Sequence, residues 1–259
     1  MSGGSLIGEC LAKHGGIRCL TRENLLATIN TFGGLASRVA ERVNRAAEAY
    51  EEFSELRRPY RILMKKALLQ YAREGHLVYL GYSGHLLVER VPHFVRVRMI
   101  ASTQLRIAMT QRRLGYSEKE ACDYIRQVDQ DRSRWARWMY GLDIRDPLLY
   151  DVSLNLDRMS MEAACRLLRT IMQEENFQPT PAAIAQVEDD YLATQALASL
   201  ATDPRTAQLE ISATASGGVL RLIGPYLPES ELSVVRSVAL SDSGAARIEY
   251  EPGYAPPLF

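Results

Sequence analysis

The sequence predicts an α/β protein in which a largely parallel sheet is flanked by helices, followed by a small C-terminal α/β domain. Over the first 180 residues, short apolar runs alternate with segments of helical periodicity, which is typical of parallel strands joined by helices. The prolines of Gln178-Pro179-Thr180-Pro181 then interrupt the helical pattern. We therefore predict a first domain over 1–178, a second over 182–251 and an irregular tail over 252–259.

The spacing of apolar residues assigns each element of the first domain in turn. Apolar side chains from Tyr60 to Tyr71 recur at helical spacing, and the run from Leu77 to Leu80 predicts a buried strand. Ser117 has the sequence signature of a capping box that opens a long helix. The prediction continues in the order strand 76–80, helix-like segment 83–90, strand 94–100, helix 103–114, helix 117–140, strand 150–156 and helix 160–174.

The C-terminal domain has a compact pattern of helix, strand, strand, helix, strand (αββαβ). A helical stripe ends near Leu200, and apolar residues alternate with polar ones from Leu209 to Ala215, as in a half-buried strand. Ser216-Gly217-Gly218 predicts a hairpin turn into a second strand over 219–223. A second helix over 232–239 and a last strand over 246–250 complete the domain.

Composition excludes several classes of protein. The chain has 259 residues, of which 47% are hydrophobic and 24% charged, as in an ordinary globular protein. No apolar stretch approaches the roughly 18 residues that a membrane-spanning helix needs, and the first residues lack a signal-peptide pattern. The cysteines are scattered without a CxxC pair, so we expect neither a disulfide framework nor a zinc site, and a cytoplasmic location. They are Cys10, Cys19, Cys122 and Cys165.

The zero net charge hides an asymmetry between the two parts of the chain. Residues 181–259 contain ten acidic and four basic side chains, whereas residues 1–180 carry a net charge of +6 that is mostly due to arginine. Arginine binds phosphate and carboxylate groups bidentately, so the first part suits a small anionic ligand. The acidic second part argues against nucleic acid as a partner. An arginine-rich composition that only reflects a GC-rich genome is an equally open explanation.

A glycine-rich turn at the start of the chain is the first candidate site. Ser2-Gly3-Gly4-Ser5 leads directly into a helix, and the N-terminus of a helix presents backbone N–H groups and a positive dipole to phosphate. The motif lacks the lysine of a GxxxxGK[ST] loop. An N-terminus that simply contains glycine and serine is the alternative.

Arg132 is the second candidate because it occupies an apolar stripe of the long helix. The stripe runs from Ala121 through Val128 to Trp135, and Arg132 lies four residues after Val128 and three before Trp135. A buried arginine is costly unless an anion meets it. A phosphate-facing role, an internal ion pair with Asp129 or Asp146, and an arginine that snorkels to water are the open interpretations.

A third candidate is the turn Gly81-Tyr82-Ser83-Gly84, which follows the predicted strand over 76–80. Its position and its glycines suit the approach of a ligand, and a purely structural turn is the alternative. The four histidines show no metal-ligand spacing and no GxSxG elbow occurs, so we predict no metal site and no nucleophilic triad.

The segment 129–156 resembles the cytidylate kinase-like family of P-loop nucleoside monophosphate kinases. The shared features are an Asp/Arg-rich lid helix followed by a glycine, then Asp146-Pro147, Tyr150-Asp151 and Leu154-Asn155. Gly3 to Ala12 is similar to the glycine-rich loop and first helix of the family, Arg22-Glu23 to its Arg-Glu pair, and Gly81 to Leu87 to its Gly-Arg-Gly turn. The resemblance covers about residues 2–175.

The resemblance implies a P-loop kinase fold, a three-layer arrangement whose first strand is missing from this chain, and phosphoryl transfer from ATP and Mg²⁺ to a nucleoside monophosphate. Arg132 and Arg137 would then be lid arginines on the transferred phosphoryl group, and Arg106 a helper. Ser2, Gly3, Gly4 and Ser5 would bind the donor phosphates, and Gly81, Tyr82 and Ser83 would lie on the acceptor side.

This sequence departs from the family pattern at its phosphate contacts. The loop has no lysine, Tyr82 stands where the family commonly has arginine, and Thr21 stands where an acidic residue usually precedes Arg-Glu. We therefore expect a weak or narrowed kinase activity. The alternative is a non-catalytic nucleotide-sensing pseudokinase that signals through its C-terminal domain. A third hypothesis assigns both domains a structural role only.

The C-terminal domain resembles a BON-type module on the residues of 193–200, 209–215 and 218–224. Such modules are small α/β domains that bind phospholipid or another ligand. Because residues 181–259 carry a net charge of −6, contact with an anionic membrane is disfavoured. We expect instead docking to a protein partner or binding of a small ligand.

Overall fold

The computed structural model describes residues 3–13, 16–45, 54–81, 83–88 and 91–254. It is a mixed α/β structure in which helices predominate and the sheets are small. In chain order the elements are α1 (Gly4–Lys13), β1 (Arg18–Thr21), α2 (Arg22–Thr31), α3 (Gly34–Arg45), α4 (Ser54–Arg73), β2 (Leu77–Leu80), β3 (Val97–Ile100), α5 (Thr103–Leu114), α6 (Glu118–Tyr140), β4 (Val152–Asn155), α7 (Met161–Ile171), α8 (Pro181–Thr202), β5 (Ser212–Ser216), β6 (Val219–Gly224), α9 (Glu229–Ser243) and β7 (Arg247–Pro252).

The chain forms two compact units, and it crosses between them more than once. The first unit contains Met1–Arg22 and His76–Gln178, and the second contains Glu23–Gly75 and Pro179–Phe259. The break at residues 178–179 coincides with the proline-rich segment. Residues 23–75, predicted from the sequence to belong to the first domain, lie in the second unit because α4 packs along α8. The division into evolutionary domains stays a prediction.

The first unit contains two pairs of parallel strands. β1 pairs with β2, so that Cys19 is opposite Val78, and β3 pairs with β4, so that Met99 is opposite Leu154. In the part of the chain that the structure describes, no ladder joins the two pairs. The sequence pattern did not predict β1, and β2 is half-buried along its length rather than fully buried.

Several helix boundaries follow directly from capping residues. Ser102 accepts a hydrogen bond from the backbone N–H of Leu105 and begins α5, which has the predicted bounds. The predicted capping box of Ser117 and Glu120 is confirmed at the start of α6. The predicted helix-like segment over 83–90 is shorter in the structure, where a 3₁₀ turn covers Gly84–Leu86.

The apolar core of the first unit joins both strand pairs to α1 and α7. Ile7 and Leu11 of α1 pack with Leu154 and with Leu168 of α7, and Val78 of β2 lies against the same cluster. Cys10 and Cys165 are bonded as a disulfide in this core, so the expectation of no disulfide is wrong. The two cysteines lie 155 residues apart in sequence, which is why their spacing gave no sign of a pair.

The second unit has a sheet in the order β5-β6-β7, in which β6 is antiparallel to β5 and parallel to β7. The predicted succession of helix, strand, strand, helix, strand is the one observed from α8 to β7. The buried side chains of its core include Leu200, Ile211, Leu220, Leu222, Val235 and Val238. Among the described residues, no helix is both long and apolar enough to span a membrane.

Candidate functional site

The N-terminus of α1 is packed where β4 ends. Gly3 has a φ of +74°, and a Cβ at this position would lie 2.9 Å from the Cδ1 of Leu156 and even closer to Met161. Glycine is therefore required here both by backbone conformation and by space. The first N–H groups of a helix lack intrahelical partners, so this turn can donate to an anion. Ser2, the first residue of the predicted loop, lies outside the described residues.

An arginine that no sequence motif indicates approaches the glycine-rich turn. The Nη1 of Arg113, near the end of α5, lies 3.4 Å from the Oγ of Ser5 and donates to it. Arg106 lies seven residues earlier, which is two helical turns along the same face of α5. This i, i+7 spacing of two arginines after an apolar strand was the signal that could have identified Arg113.

Arg106 is bound to a carboxylate of the long helix. Its Nη1 and Nη2 donate to the two carboxylate oxygens of Asp129 on α6, at 2.6 and 2.7 Å. Burial raises the pKa of Asp129, but the hydrogen bonds and charge of Arg106, with a smaller effect of Arg132, outweigh it. The pKa of Asp129 is therefore held below its ordinary value, and this carboxylate is ionised at neutral pH.

Arg132 lies on the buried stripe of α6, as the sequence pattern predicts. Ala121, Ile125, Trp135 and Met139 on this stripe are buried, and Arg132 is half-buried among them. Its charge acts on Asp129, which identifies that carboxylate as a common neighbour of Arg106 and Arg132. Arg106 of α5 and Arg132 of α6 therefore share one carboxylate.

Arg137 has different surroundings from Arg132. It is exposed on α6, and its carbonyl accepts a hydrogen bond from the backbone N–H of Gly141 at 2.9 Å. The pKa of Asp143 is lowered, mainly by hydrogen bonds from Arg145, and the charge of Arg137 adds a small contribution. The described contacts of Arg137 thus lie at the C-terminal end of the helix, and its role as a lid arginine stays a prediction.

The turn after β2 is shaped by an aromatic ring. A Cβ at Gly81 would lie 2.5 Å from the ring of Tyr79, and one at Gly84 would lie closer still, so both glycines make room for this tyrosine. Ser83 accepts a hydrogen bond through its carbonyl from the backbone N–H of Leu86. Tyr82 lies outside the described residues. The structural explanation of the two glycines is sufficient, and the acceptor-side role of Gly81, Tyr82 and Ser83 stays a prediction.

His85, next to this turn, is held in its neutral form. Burial, together with the charge of Arg96, lowers the pKa of His85 to about 4. Its ring lies 4.6 Å from the ring of Tyr150, measured between centroids. At neutral pH the imidazole therefore carries no charge and behaves as a packed aromatic group.

Two contacts lie at the carboxyl ends of the strands in the first unit. Arg22 follows β1, and its guanidinium lies 5.5 Å from the ring centre of Trp135 on α6. After β3, the backbone N–H of Ser102 donates to Asp157, which follows β4, at 2.7 Å. Ligands of parallel α/β sheets bind at the carboxyl ends of the strands. The glycine-rich turn, α5 and α6 meet at such strand ends in the first unit.

Parallel strand pairs, a glycine turn opening a helix and clustered arginines are features of a mixed α/β protein of kinase-like fold. The sequence matches the cytidylate kinase-like family over residues 1–158, more than half of its length, and the chain belongs to this family. The predicted resemblance to that family is confirmed.

Two relatives extend this comparison. A protein described as cytidylate kinase, from Pyrococcus horikoshii, is 23% identical over 170 residues, which cover 65% of this chain and 81% of that protein. A crystal structure of an uncharacterized protein from Eubacterium ventriosum matches with a TM-score of 0.52 and 15% identity, covering 67% of this chain and 93% of the other. The second match concerns the fold alone.

Proposed function

We propose that this protein transfers a phosphoryl group from ATP to a nucleoside monophosphate of the cytidylate type, with weak or narrowed activity. Membership of the cytidylate kinase-like family supports a kinase-like function, and the relative from Pyrococcus horikoshii suggests the class of acceptor. The finer assignments are part of the same proposal: a P-loop layout, donor phosphates at residues 2–5, and the acceptor at residues 81–83.

The observation that carries the proposal is a set of arginines on α5 and α6, one of which reaches the glycine-rich turn. Arg113 reaches Ser5, Arg106 is bound to Asp129, and the charge of Arg132 acts on the same carboxylate. Phosphoryl transfer is catalysed mainly by positioning the reactants and by neutralising charge on the phosphoryl oxygens. Arginines on two helices, together with a helix N-terminus, supply the groups that this catalysis needs.

In this proposal, the magnesium ion arrives with the nucleotide. In the described residues, no group of three or more His, Cys, Asp or Glu side chains could hold a metal ion. Mg²⁺ is commonly bound through substrate phosphates with one or two carboxylates at most, so such a group is not required. When bound, the ion would neutralise charge on the donor phosphates. Arg132 and Arg137 would act on the phosphoryl group in transfer.

A coupled assay of ADP release tests the proposal. We expect turnover with CMP or dCMP as acceptor, and a loss of at least about 100-fold in kcat in Arg132→Ala, because a charge contact made in the transition state is removed. Arg134→Ala is the matched control, since Arg134 is an exposed residue of the same helix that pairs with Asp131. It should retain the wild-type rate.

The outcomes separate the two functional hypotheses. ATP binding in calorimetry without turnover on any nucleoside monophosphate contradicts the kinase and favours the nucleotide-sensing alternative. Equal rates in Arg132→Ala and Arg134→Ala contradict the role given to Arg132 while leaving the activity intact.

We further propose that the C-terminal part of the second unit is a BON-like domain that docks a protein partner or a small ligand. Its support is the αββαβ order from α8 to β7 and the acidic composition of residues 181–259. The whole chain is used, because α4 packs along α8, and incubated with anionic vesicles of phosphatidylserine at physiological salt it should remain unbound. Cosedimentation with these vesicles would contradict the proposal.

A further inference from the structure

We propose that Asp129 is a positioning residue that fixes the guanidinium of Arg106 so that its remaining edge meets a phosphoryl oxygen of the bound nucleotide. This inference rests on the proposed function, and it gives Asp129 a role beyond that of a tie between two helices. The contact geometry of Arg106, its burial and the charge around it each contribute to the argument.

The first step is the way in which Asp129 holds Arg106. Both carboxylate oxygens are used, one by each Nη atom, and the side chain of Arg106 is only 13% exposed. The guanidinium is planar and its five N–H groups have fixed directions, so a bidentate partner on one edge determines where the other edge points. Asp129 therefore sets the orientation of the whole group.

The second step is the donor that Asp129 leaves unused. The Nε of Arg106 is buried and has no hydrogen-bond partner among the residues that the structure describes. A buried donor without a partner costs about 1–3 kcal/mol, so such groups are rare and usually have a functional reason. An oxygen of a ligand would supply the missing acceptor.

The third step is the sign of the charge that this acceptor carries. Arg113 lies on the same face of α5 and reaches Ser5, and Arg132 acts electrostatically on Asp129. The guanidinium of Arg106 is itself positively charged, so an anionic acceptor suits its free Nε–H better than a neutral one. A phosphoryl oxygen is both an acceptor and anionic, and it suits the Nε–H of Arg106.

Titration with inorganic tripolyphosphate tests this role without requiring turnover. If Asp129 were only a nearby negative charge, Asp129→Asn would strengthen binding of the anion. If Asp129 positions Arg106, the same variant should weaken binding at least about tenfold, because the guanidinium loses its fixed orientation. The two roles predict opposite changes in the affinity for tripolyphosphate, so the result distinguishes them. Asp131→Asn is the matched control, since Asp131 pairs with the exposed Arg134 on the same helix, and it should bind like the wild type.

A charge-swapped variant separates positioning from stability. Arg106→Asp combined with Asp129→Arg restores an ion pair between α5 and α6, so the Tm should return toward the wild-type value while tripolyphosphate binding stays weak. Recovery of both would overturn the proposal, as would unchanged or tighter binding by Asp129→Asn or no binding by the wild type. Wild-type binding that depends on Asp129, without phosphorylation of any acceptor, would contradict the proposed function alone.

Discussion

The two compact units use their basic side chains in different ways. In the first unit, Arg113 reaches the glycine-rich turn, and Arg106 and Arg132 share the carboxylate of Asp129. In the second unit, basic residues of α4 meet acidic residues from the C-terminal part of the chain. Arg73 donates to Glu188 at 2.7 Å and lies over the ring of Tyr191.

Other basic residues of α4 also interact with groups of the second unit. Arg58 donates to the carbonyl of Ile211. Burial lowers the pKa of Lys66, and the charge of Asp242 partly opposes this shift. The charge difference between residues 1–180 and 181–259 is thus partly neutralised inside one unit. Net charge along a sequence identifies a ligand site only after the fold has shown which charges face each other.

The units also differ in how their cores are stabilised. The largest expected effect on the free energy of unfolding comes from removing the disulfide of the first unit. Replacing Cys10 and Cys165 together by alanine should lower the free energy of unfolding by about 4 kcal/mol, because the link closes a long loop in the unfolded chain. Denaturant titration measures this loss, and Cys122→Ala should show little change. Alkylation of all four cysteines in the denatured, unreduced protein would contradict the disulfide.

The second unit depends instead on a continuous apolar core. Leu220 is fully buried in this core, so Leu220→Ala should lower the free energy of unfolding by about 3 kcal/mol through lost contacts and a cavity. Leu240 is a leucine of α9 that is 45% exposed, and Leu240→Ala should cost less than about 1 kcal/mol. Equal effects of the two substitutions, measured in urea, would show that Leu220 does not belong to a packed core.

These examples show what the sequence reveals and what it hides. Local signals predicted both ends of α5 correctly, and they also predicted the capping box of α6. A serine that caps the start of a helix and a glycine that ends it can be recognised from residues close together in the sequence. The inward position of Arg132 also followed from helical periodicity. The Cys10–Cys165 disulfide and the packing of α4 on α8 join segments far apart in the chain, and no local pattern encodes such contacts.

The arginines of the first unit were only partly predictable from the sequence. Periodicity indicated Arg132 and the family resemblance indicated Arg106, but Arg113 became visible only when α5 was placed against Ser5. The partner of Arg132 is also open at the sequence level, where Asp129 and Asp146 are both candidates, and in the structure Asp129 is paired with Arg106.

A pH titration examines the neutral histidine of the first unit. The pKa of His85 falls from 6.5 in the unfolded chain to about 4 in the fold, so the unfolded state binds more protons between these values. The free energy of unfolding should therefore decrease by up to about 3 kcal/mol as the pH falls from 6.5 to 4. His85→Asn should flatten this slope. An unchanged slope in His85→Asn would show that other groups cause it.

The smallest expected effect is the Arg73–Glu188 ion pair of the second unit. Both side chains are substantially exposed, at 37% and 49%, and exposed pairs contribute little after solvent screening. A double-mutant cycle with alanine should give a coupling free energy of about 0.5 kcal/mol that decreases at 1 M salt. A coupling above 2 kcal/mol would mean that the second unit relies on its charges as strongly as on its core.

The measurement that tests the account most directly is calorimetric binding of ATP, with Mg²⁺, to the wild type and to Arg113→Ala. Arg113 is the arginine that only the structure identified, and it touches the turn assigned to the donor phosphates. The account predicts binding by the wild type and at least about tenfold weaker binding by the variant. Equal affinity of the two proteins, or no ATP binding by the wild type, would contradict it.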